Sequence, residues 1–256
     1  MLSGFDFSHW NSDAQVQKYY AQADFVCHKL TEGDYYIDPK AYARASKMFK
    51  GTDKPIIWYH LIRPDKGTDP IKEAKFFVSQ LSYVEAFGPF GIAIDVEQPY
   101  VPYTSKWAVL IWIVTIVKEI RKAYNRPVFV YMGDLYPHGW YEELKKAGAE
   151  FWICRWRDTA PDHEWTIWQN TERHNNEKLD HDYCNLPLSE LWDKCVNSNA
   201  EAILEASGMT AEELAQIVVD IIKGKYGNGE ERKKALGDKY EACQKILNAI
   251  FKEVQK

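Results

Sequence analysis

The sequence predicts an α/β protein: an irregular eight-stranded, TIM-like β/α barrel followed by a small all-α module of three helices. Three observations carry that expectation. Strand-like and helix-like segments alternate five times between residue 4 and residue 147, and repeated strand–helix units build parallel sheets. Three more strand-like segments then follow with gaps too short for crossover helices, which need about ten or more residues. Beyond Asn185 the texture changes to amphipathic helix and turn. An open doubly wound sheet is the alternative, but no Gly-rich phosphate loop follows any strand.

In chain order, GFDFS (4–8) precedes a helical stretch around 12–22, and DFVCHKLTEG (24–33) precedes a helix from about 39 to 49. PIIWYHLIRP (55–64) leads to a third helix over 69–86, and the apolar run Phe90 to Ile94 to a fourth over 104–124. PVFVYMG (127–133) is followed by a short fifth helix, 137–147. FWICRW (151–156), EWTIWQNT (164–171) and KLDHDYC (178–184) are the closing strands. Residues 1–186 thus form the barrel and 187–209 a helix-containing linker whose Leu188, Leu191 and Trp192 pack back on it. Residues 210–256 form the module. There Thr210 and Glu213 have capping-box spacing, Leu214, Ile217, Val218 and Ile221 form an apolar stripe, and helices over EERKKALG and 239–254 follow the GKYGNG turn.

The net charge of −5 argues against a nucleic-acid binder, which would be basic. The five cysteines are scattered and show no C-x-x-C pair, so neither a disulfide framework nor a zinc site is indicated. Cys27 and Cys154 lie inside apolar strand-like runs as small core residues, which points to synthesis in a reducing compartment. Met1 runs into a strand without a charged or apolar leader, so no signal peptide is expected. The longest apolar run, Trp107 to Val117, is too short to span a bilayer and reads as the buried centre of a helix. No membrane anchor is expected.

The chemistry concentrates at the end of the fourth unit's opening strand. Asp95 and Glu97 sit two residues apart behind an apolar run, so they share a strand face about 6.6 Å apart. Neighbouring acids disfavour each other's ionisation, a cost with little structural use; a glycosidase needs one protonated and one ionised carboxyl. Two solvated acids at a surface strand end, or a metal site, are the plainer alternatives. In a parallel barrel the C-terminal strand ends meet in one cup, here Asp6, Lys29, Glu32, Tyr59, His60, Asp95, Glu97, Tyr131, Arg155, Trp156, Trp168, Gln169 and Asp182. Acids converging with aromatics on one face compose a carbohydrate site. Trp10, Tyr59, Tyr131, Trp156 and Trp168 offer flat rings for sugar faces.

These motifs, GFDFSHWN, DFVCHKLTEG, YHLIRP, GIAIDVE, PVFVYMG, FWICRW and WTIWQNT, resemble glycoside hydrolase family 25 in their order over about residues 3–186. That family comprises lysozymes that act as N-acetylmuramidases on bacterial peptidoglycan, on an irregular β/α barrel. The resemblance implies Glu97 as general acid, Asp95 as its ionised partner, and Asp6 and Asp182 as the other site acids. Lys29, Glu32, Tyr59, His60, Tyr131, Trp156, Trp168 and Gln169 would bind substrate. At Asp182 the chain departs from the family's usual Asp-aliphatic-Asn run, since Tyr183 and Cys184 follow. Asp95 would orient the substrate's acetamido carbonyl for attack with retention, or the pair would act by direct inversion. No metal or organic cofactor is implied.

The tail is similar to a single CW-seven cell-wall-binding repeat, through KYGNGEERKK. Lys225, Tyr226, Asn228 and Arg232 would present an exposed ring, donors and cations to a wall fragment. A phage endolysin, made in the cytoplasm and released onto the wall, fits the whole. A chitinase-like glycosidase would need a longer D-x-x-D-x-D-x-E motif, which is absent. A non-catalytic wall-binding protein on a degenerate barrel would be expected to have lost Asp6, Asp95 or Glu97.

Overall fold

The computed structural model describes residues 1–98, 100, 106–134, 139–196, 209–227, 229–240 and 243. It divides into two compact units, Met1–Val196 and Asn197–Lys256.

The first unit is a barrel. Its strands are β1 (Leu2–Phe7), β2 (Phe25–Glu32), β3 (Tyr36–Ile37), β4 (Ile56–Leu61), β5 (Gly91–Val96), β6 (Val128–Gly133), β7 (Ala149–Cys154), β8 (Ile167–His174) and β9 (Glu177–Cys184). Eight of them close in the order β1-β2-β4-β5-β6-β7-β8-β9, and β9 returns to β1. The pairs from β1 to β8 are parallel; β9 runs antiparallel to both of its neighbours. The two-residue β3, which the sequence does not announce, pairs antiparallel with the end of β2.

Five helices cover the outside: α1 (Asp13–Tyr20), α2 (Ala41–Arg44, continued by a widened turn Ala45–Phe49), α3 (Pro70–Val84), α4 (Lys106–Ala123) and α5 (Gly139–Ala147). The expected five helices and eight barrel strands are all present. Local chemistry starts the helices: Ser12 Oγ accepts from the Gln15 amide, and Asp69 Oδ1 accepts from Ile71 and Lys72 ahead of Pro70. Such caps satisfy amide donors that have no partner in the first turn. Phe77 and Leu81 of α3 and Ile113, Ile116 and Ile120 of α4 bury against outward-facing Trp58, Ile92, Ile94 and Val130. The expectation of a wholly buried α4 centre is corrected, because Trp107 and Ile111 are exposed.

Inside the barrel, Phe25, Ile57, Ala93, Phe129, Trp152 and Ile167 form a second core, which Leu191 and Cys195 of α6 (Leu188–Val196) join. The backbones there approach closely. A Cβ on Gly4 would lie 2.4 Å from the Phe25 ring, and one on Gly91 would lie 2.8 Å from Cys195 Sγ.

In the second unit, α7 (Ala211–Ile222) begins with the expected capping box and α8 (Glu230–Leu236) follows the glycine turn. Ile221 and Leu236 are buried. Residues 197–208 of the linker, Asn228 and nearly all of the third expected helix lie outside the described residues. Among those described, no helix is long and apolar enough to cross a membrane.

Candidate active site

A cleft of about 840 Å³ opens at the C-terminal ends of the parallel strands, where a barrel of this kind places its chemistry. Side chains alternate in and out along each strand. On β5, Ala93 therefore packs inside, and Asp95 and Glu97 follow it up the same face into the cleft. Asp6, Lys29, Glu32, Tyr59, Tyr131, Trp156 and Gln169 line the cleft as well, and so does Trp10, which is 86% exposed.

The same alternation removes two expected residues. Tyr59 faces in, so its neighbour His60 faces out. It is fully buried between Thr31 Oγ1 (2.8 Å) and Glu73 Oε2 (3.1 Å) and stacked on Phe77. Ile167 and Gln169 face in, so Trp168 faces out, with its Nε1 donating to the Arg155 carbonyl. Neither lines the cleft.

Strand direction removes a third. Because β9 is antiparallel, its beginning lies at the mouth, and Asp6 on β1 pairs with Asp180 while Gly4, one pleat deeper, pairs with Asp182. Asp180 lines the cleft; Asp182 lies below it, with no exposed surface. Glu172, Lys178, Tyr35, Tyr36 and Trp152 are further lining residues that the sequence reading missed. A signal for β9 was available: Asn175 and Asn176 both adopt positive φ, 50° and 63°, the conformation of a two-residue I′ hairpin. That hairpin reverses the last strand.

The cup is acid-rich and mostly shut off from water. Burial, then each other's charge and that of Asp180, pushes its carboxyls up. Asp95 rises well above the usual carboxylate range through burial and the charge of Glu97. Glu97 rises through burial and Glu32, against the pull of Lys29. Asp6 rises well above it through burial and the charges of Asp180 and Asp182, opposed by a hydrogen bond from Gln169. Asp180 is pushed up to about 6 by burial, Glu172 and Glu97, against Lys178.

One cation is built into the wall. Lys29 Nζ donates to Glu32 Oε2 (2.6 Å), and Arg63 holds the other oxygen of Glu32 while binding Asp65 through two nitrogens (2.7 and 2.9 Å). Opposite it, Gln169 is a hub. Its Oε1 accepts from Tyr131 Oη and Trp156 Nε1, both at 2.9 Å, and its Nε2 donates to Asp6 Oδ2 at 2.8 Å. Asp95 Oδ1 is buried without a hydrogen-bond donor among the described residues.

Outside the cleft, Asp134, Asp162 and His163 bring ligand atoms within 4.8 Å of one another. The Arg155 guanidinium already lies 3.3 Å from each of the two carboxylates. Arg155 itself is absent from the cleft lining.

In the second unit, Lys225 pairs with Asp220 (2.8 Å) and lies 5.8 Å from the Tyr226 ring centre. Tyr226 is half-buried rather than fully exposed. Arg232 donates Nε and a terminal nitrogen to the Gly227 carbonyl (3.2 and 3.0 Å), so its fork ties the turn together.

A family model described as glycosyl hydrolases family 25 matches residues 5–179, and a CW_7 repeat matches residues 212–251. No curated protein sequence matches the chain. Among solved structures, the bacterial lysozyme of Streptomyces coelicolor is similar with TM-score 0.61 and 21% identity, over 77% of this chain and 97% of that one. A family 25 glycosyl hydrolase of Bacillus anthracis has TM-score 0.61 and 18% identity, covering 77% and 94%. The catalytic domain of endolysin ply40, from bacteriophage P40 of Listeria monocytogenes, has TM-score 0.58 and 18% identity, covering 77% and 98%. These likenesses concern the barrel fold, whereas the family model spans well over half of the sequence. The chain belongs to glycosyl hydrolases family 25.

Proposed function

We propose that this glycoside hydrolase is a muramidase of endolysin type, cutting the β-1,4 bond between N-acetylmuramic acid and N-acetylglucosamine in bacterial peptidoglycan. One observation carries the reading: β5 delivers two carboxyls to one cleft in unequal surroundings, Asp95 deeper and Glu97 at the lip. Burial and mutual repulsion leave the pair short of two full charges. Glu97 has the longer, less buried side chain and reaches the leaving oxygen as general acid. Asp95 Oδ1 lacks a donor, and an acetamido N–H is one. Accepting it favours the ionised form of Asp95 and leaves the proton on Glu97.

Held this way, the acetamido carbonyl attacks the anomeric carbon as Glu97 protonates the departing oxygen. Water then opens the cyclic intermediate with Glu97 as base, so configuration is retained. Asp180 supplies negative charge near the oxocarbenium-like centre, and Asp6 lines the wall beside it. Tyr59, Tyr131, Trp156 and Trp10 line the path of the glycan.

The module is read as a wall anchor through its CW_7 match, with Lys225 and Tyr226 as contact candidates. Because Arg232 fastens the turn, its contribution to binding is at least partly structural.

Clearing of purified peptidoglycan tests the reading. Glu97→Gln keeps shape but removes the titratable proton, so turnover should fall at least about 10²-fold; near-normal clearing would sink the assignment. New reducing ends should be N-acetylmuramic acid; N-acetylglucosamine ends would leave a glycosidase but not a muramidase. In the same assay, a chain ending at Gly208 should cleave soluble muropeptide chains like the full chain and be retained about tenfold less on whole walls, about 1.4 kcal/mol. Equal retention would remove the anchor.

A further inference from the structure

Asp182 is a fully buried acid that the chemistry above does not use. It faces the same interior as Asp6 and Asp180, and its partner across the β1–β9 pair is Gly4, which has no side chain. The space above Gly4 is left to Asp6, one pleat up. Asp182 Oδ1 accepts from Trp152 Nε1 at 2.8 Å, while Oδ2 is buried and has no donor among the described residues. The Asp6 and Asp182 carboxyls are diagonal neighbours on one inner face of the β1–β9 pair, near enough that each bears on the other's ionisation. Asp6 Oδ2 is taken by Gln169 Nε2.

Two ionised carboxylates are acceptors only, so a hydrogen bond between them requires a proton. The groups facing the pair cannot replace it. Trp152 and Gln169 offer neutral N–H groups. Asp180 from β9 and the thiols of Cys27, Cys154 and Cys184 from β2, β7 and β9 add no positive charge. Two full negative charges side by side at that depth are disfavoured by desolvation and by each other.

We infer that Asp6 and Asp182 hold one proton between them, and that Asp182 is a positioning residue keeping Asp6 as half of a singly charged pair. The inference rests on the reading of Asp6 as a member of the catalytic cup. Its consequence has a pH. Burial pushes the Asp182 carboxyl up to about 7, opposed by the influence of Trp152 and Asp6 and reinforced by the charge of Asp180, while Asp6 stands well above the usual carboxylate range. The shared proton is the second of the pair to leave, so it goes to solvent through the cleft on the alkaline side of that value. The pair then carries two charges, its hydrogen bond is lost, and Asp6 is pushed away from its place beside Gln169.

The test uses the full chain and two readouts. Infrared difference spectra, taken from mildly acid to mildly alkaline pH in the Glu97→Gln background, follow protonated carboxyl groups. One such signal should outlast neutrality and disappear on the alkaline side, and it should be missing when Asp182→Asn is added. Its persistence unchanged in the Asp182→Asn protein would overturn the shared proton. The second readout is kcat and KM on soluble glycan chains for single variants. Asp182→Asn can donate its amide to Asp6 and accept from Trp152, so it should rescue most of the kcat that Asp182→Leu loses. That loss should be at least about tenfold, or 1.4 kcal/mol, with KM little changed. Equal kcat for Asn and Leu variants would overturn the positioning role. Should Asp182→Leu fail to fold, the infrared comparison still decides. Full activity of Glu97→Gln would instead strike the catalytic reading and leave the infrared result standing.

Discussion

Gln169 serves three neighbours with one amide. Its carbonyl oxygen uses both lone pairs, on Tyr131 and Trp156, and its nitrogen holds Asp6. A buried partner left without its hydrogen bond costs about 1–3 kcal/mol, so Gln169→Leu should loosen the phenol, the indole and the carboxyl together. We expect kcat to fall at least about tenfold while the chain still folds, as steady-state kinetics and a melting curve on the same preparation would show. Unchanged kcat would reduce the hub to packing. At this scale the sequence was legible where spacing alone decides. Asp95 and Glu97 share a face because they are two apart behind an apolar strand, whatever the direction of that strand. It was not legible where adjacent residues were both assigned to the cup, since Tyr59 and His60 cannot face the same way. For Asp180 and Asp182 the pleat gives the same face to both, and only the direction of β9 tells which lies at the mouth.

That direction belongs to the β8–β9 hairpin. Its two-residue turn needs left-handed backbone at both positions, and Asn is among the few non-glycine residues that adopt it readily. Asn175→Val puts a β-branched side chain there and should cost about 1–2 kcal/mol, roughly 2–8 °C in a chain of this size. Calorimetry would measure it. A one-residue register slip would also turn Asp180 from the cleft to the outside, so lysis should fall further than the stability loss explains. Asn176→Gly should leave both near wild type. Activity surviving Asn175→Val undiminished would show that the turn does not set the register. The five outer helices were legible because each lies between two strand-like runs; Ser12 and Asp69 cap two of them. The packing of α6 on the barrel was expected and Leu191 makes it, although Leu188 is exposed; the two-residue β3 depends on a distant partner, which no local pattern announces.

Across the whole molecule, opposite pH dependences are superimposed. His28 donates to the Lys29 carbonyl and accepts from Arg44, and burial holds it down at about 4; burial and His174 hold His181 at about 4. An unfolded histidine takes up its proton near pH 6.5. The native state takes it up only near pH 4, so these two residues remove stability as pH falls through that window. The acid cup acts with the other sign. Its carboxyls stay protonated in the native state above the unfolded value near 4, so stability is lost as pH rises toward the 6 of Asp180 and the 7 of Asp182. Asp180→Asn should therefore melt higher than wild type at mildly alkaline pH and no higher near pH 4, while being less active. A stability gain of the same size at both pH values would show that the charge of Asp180 is not the cause. The carboxyls proposed to perform the chemistry thus strain the fold that carries them. A lineage freed from the need to cut glycans would keep the barrel and shed these acids early, because each loss would be rewarded at once with stability.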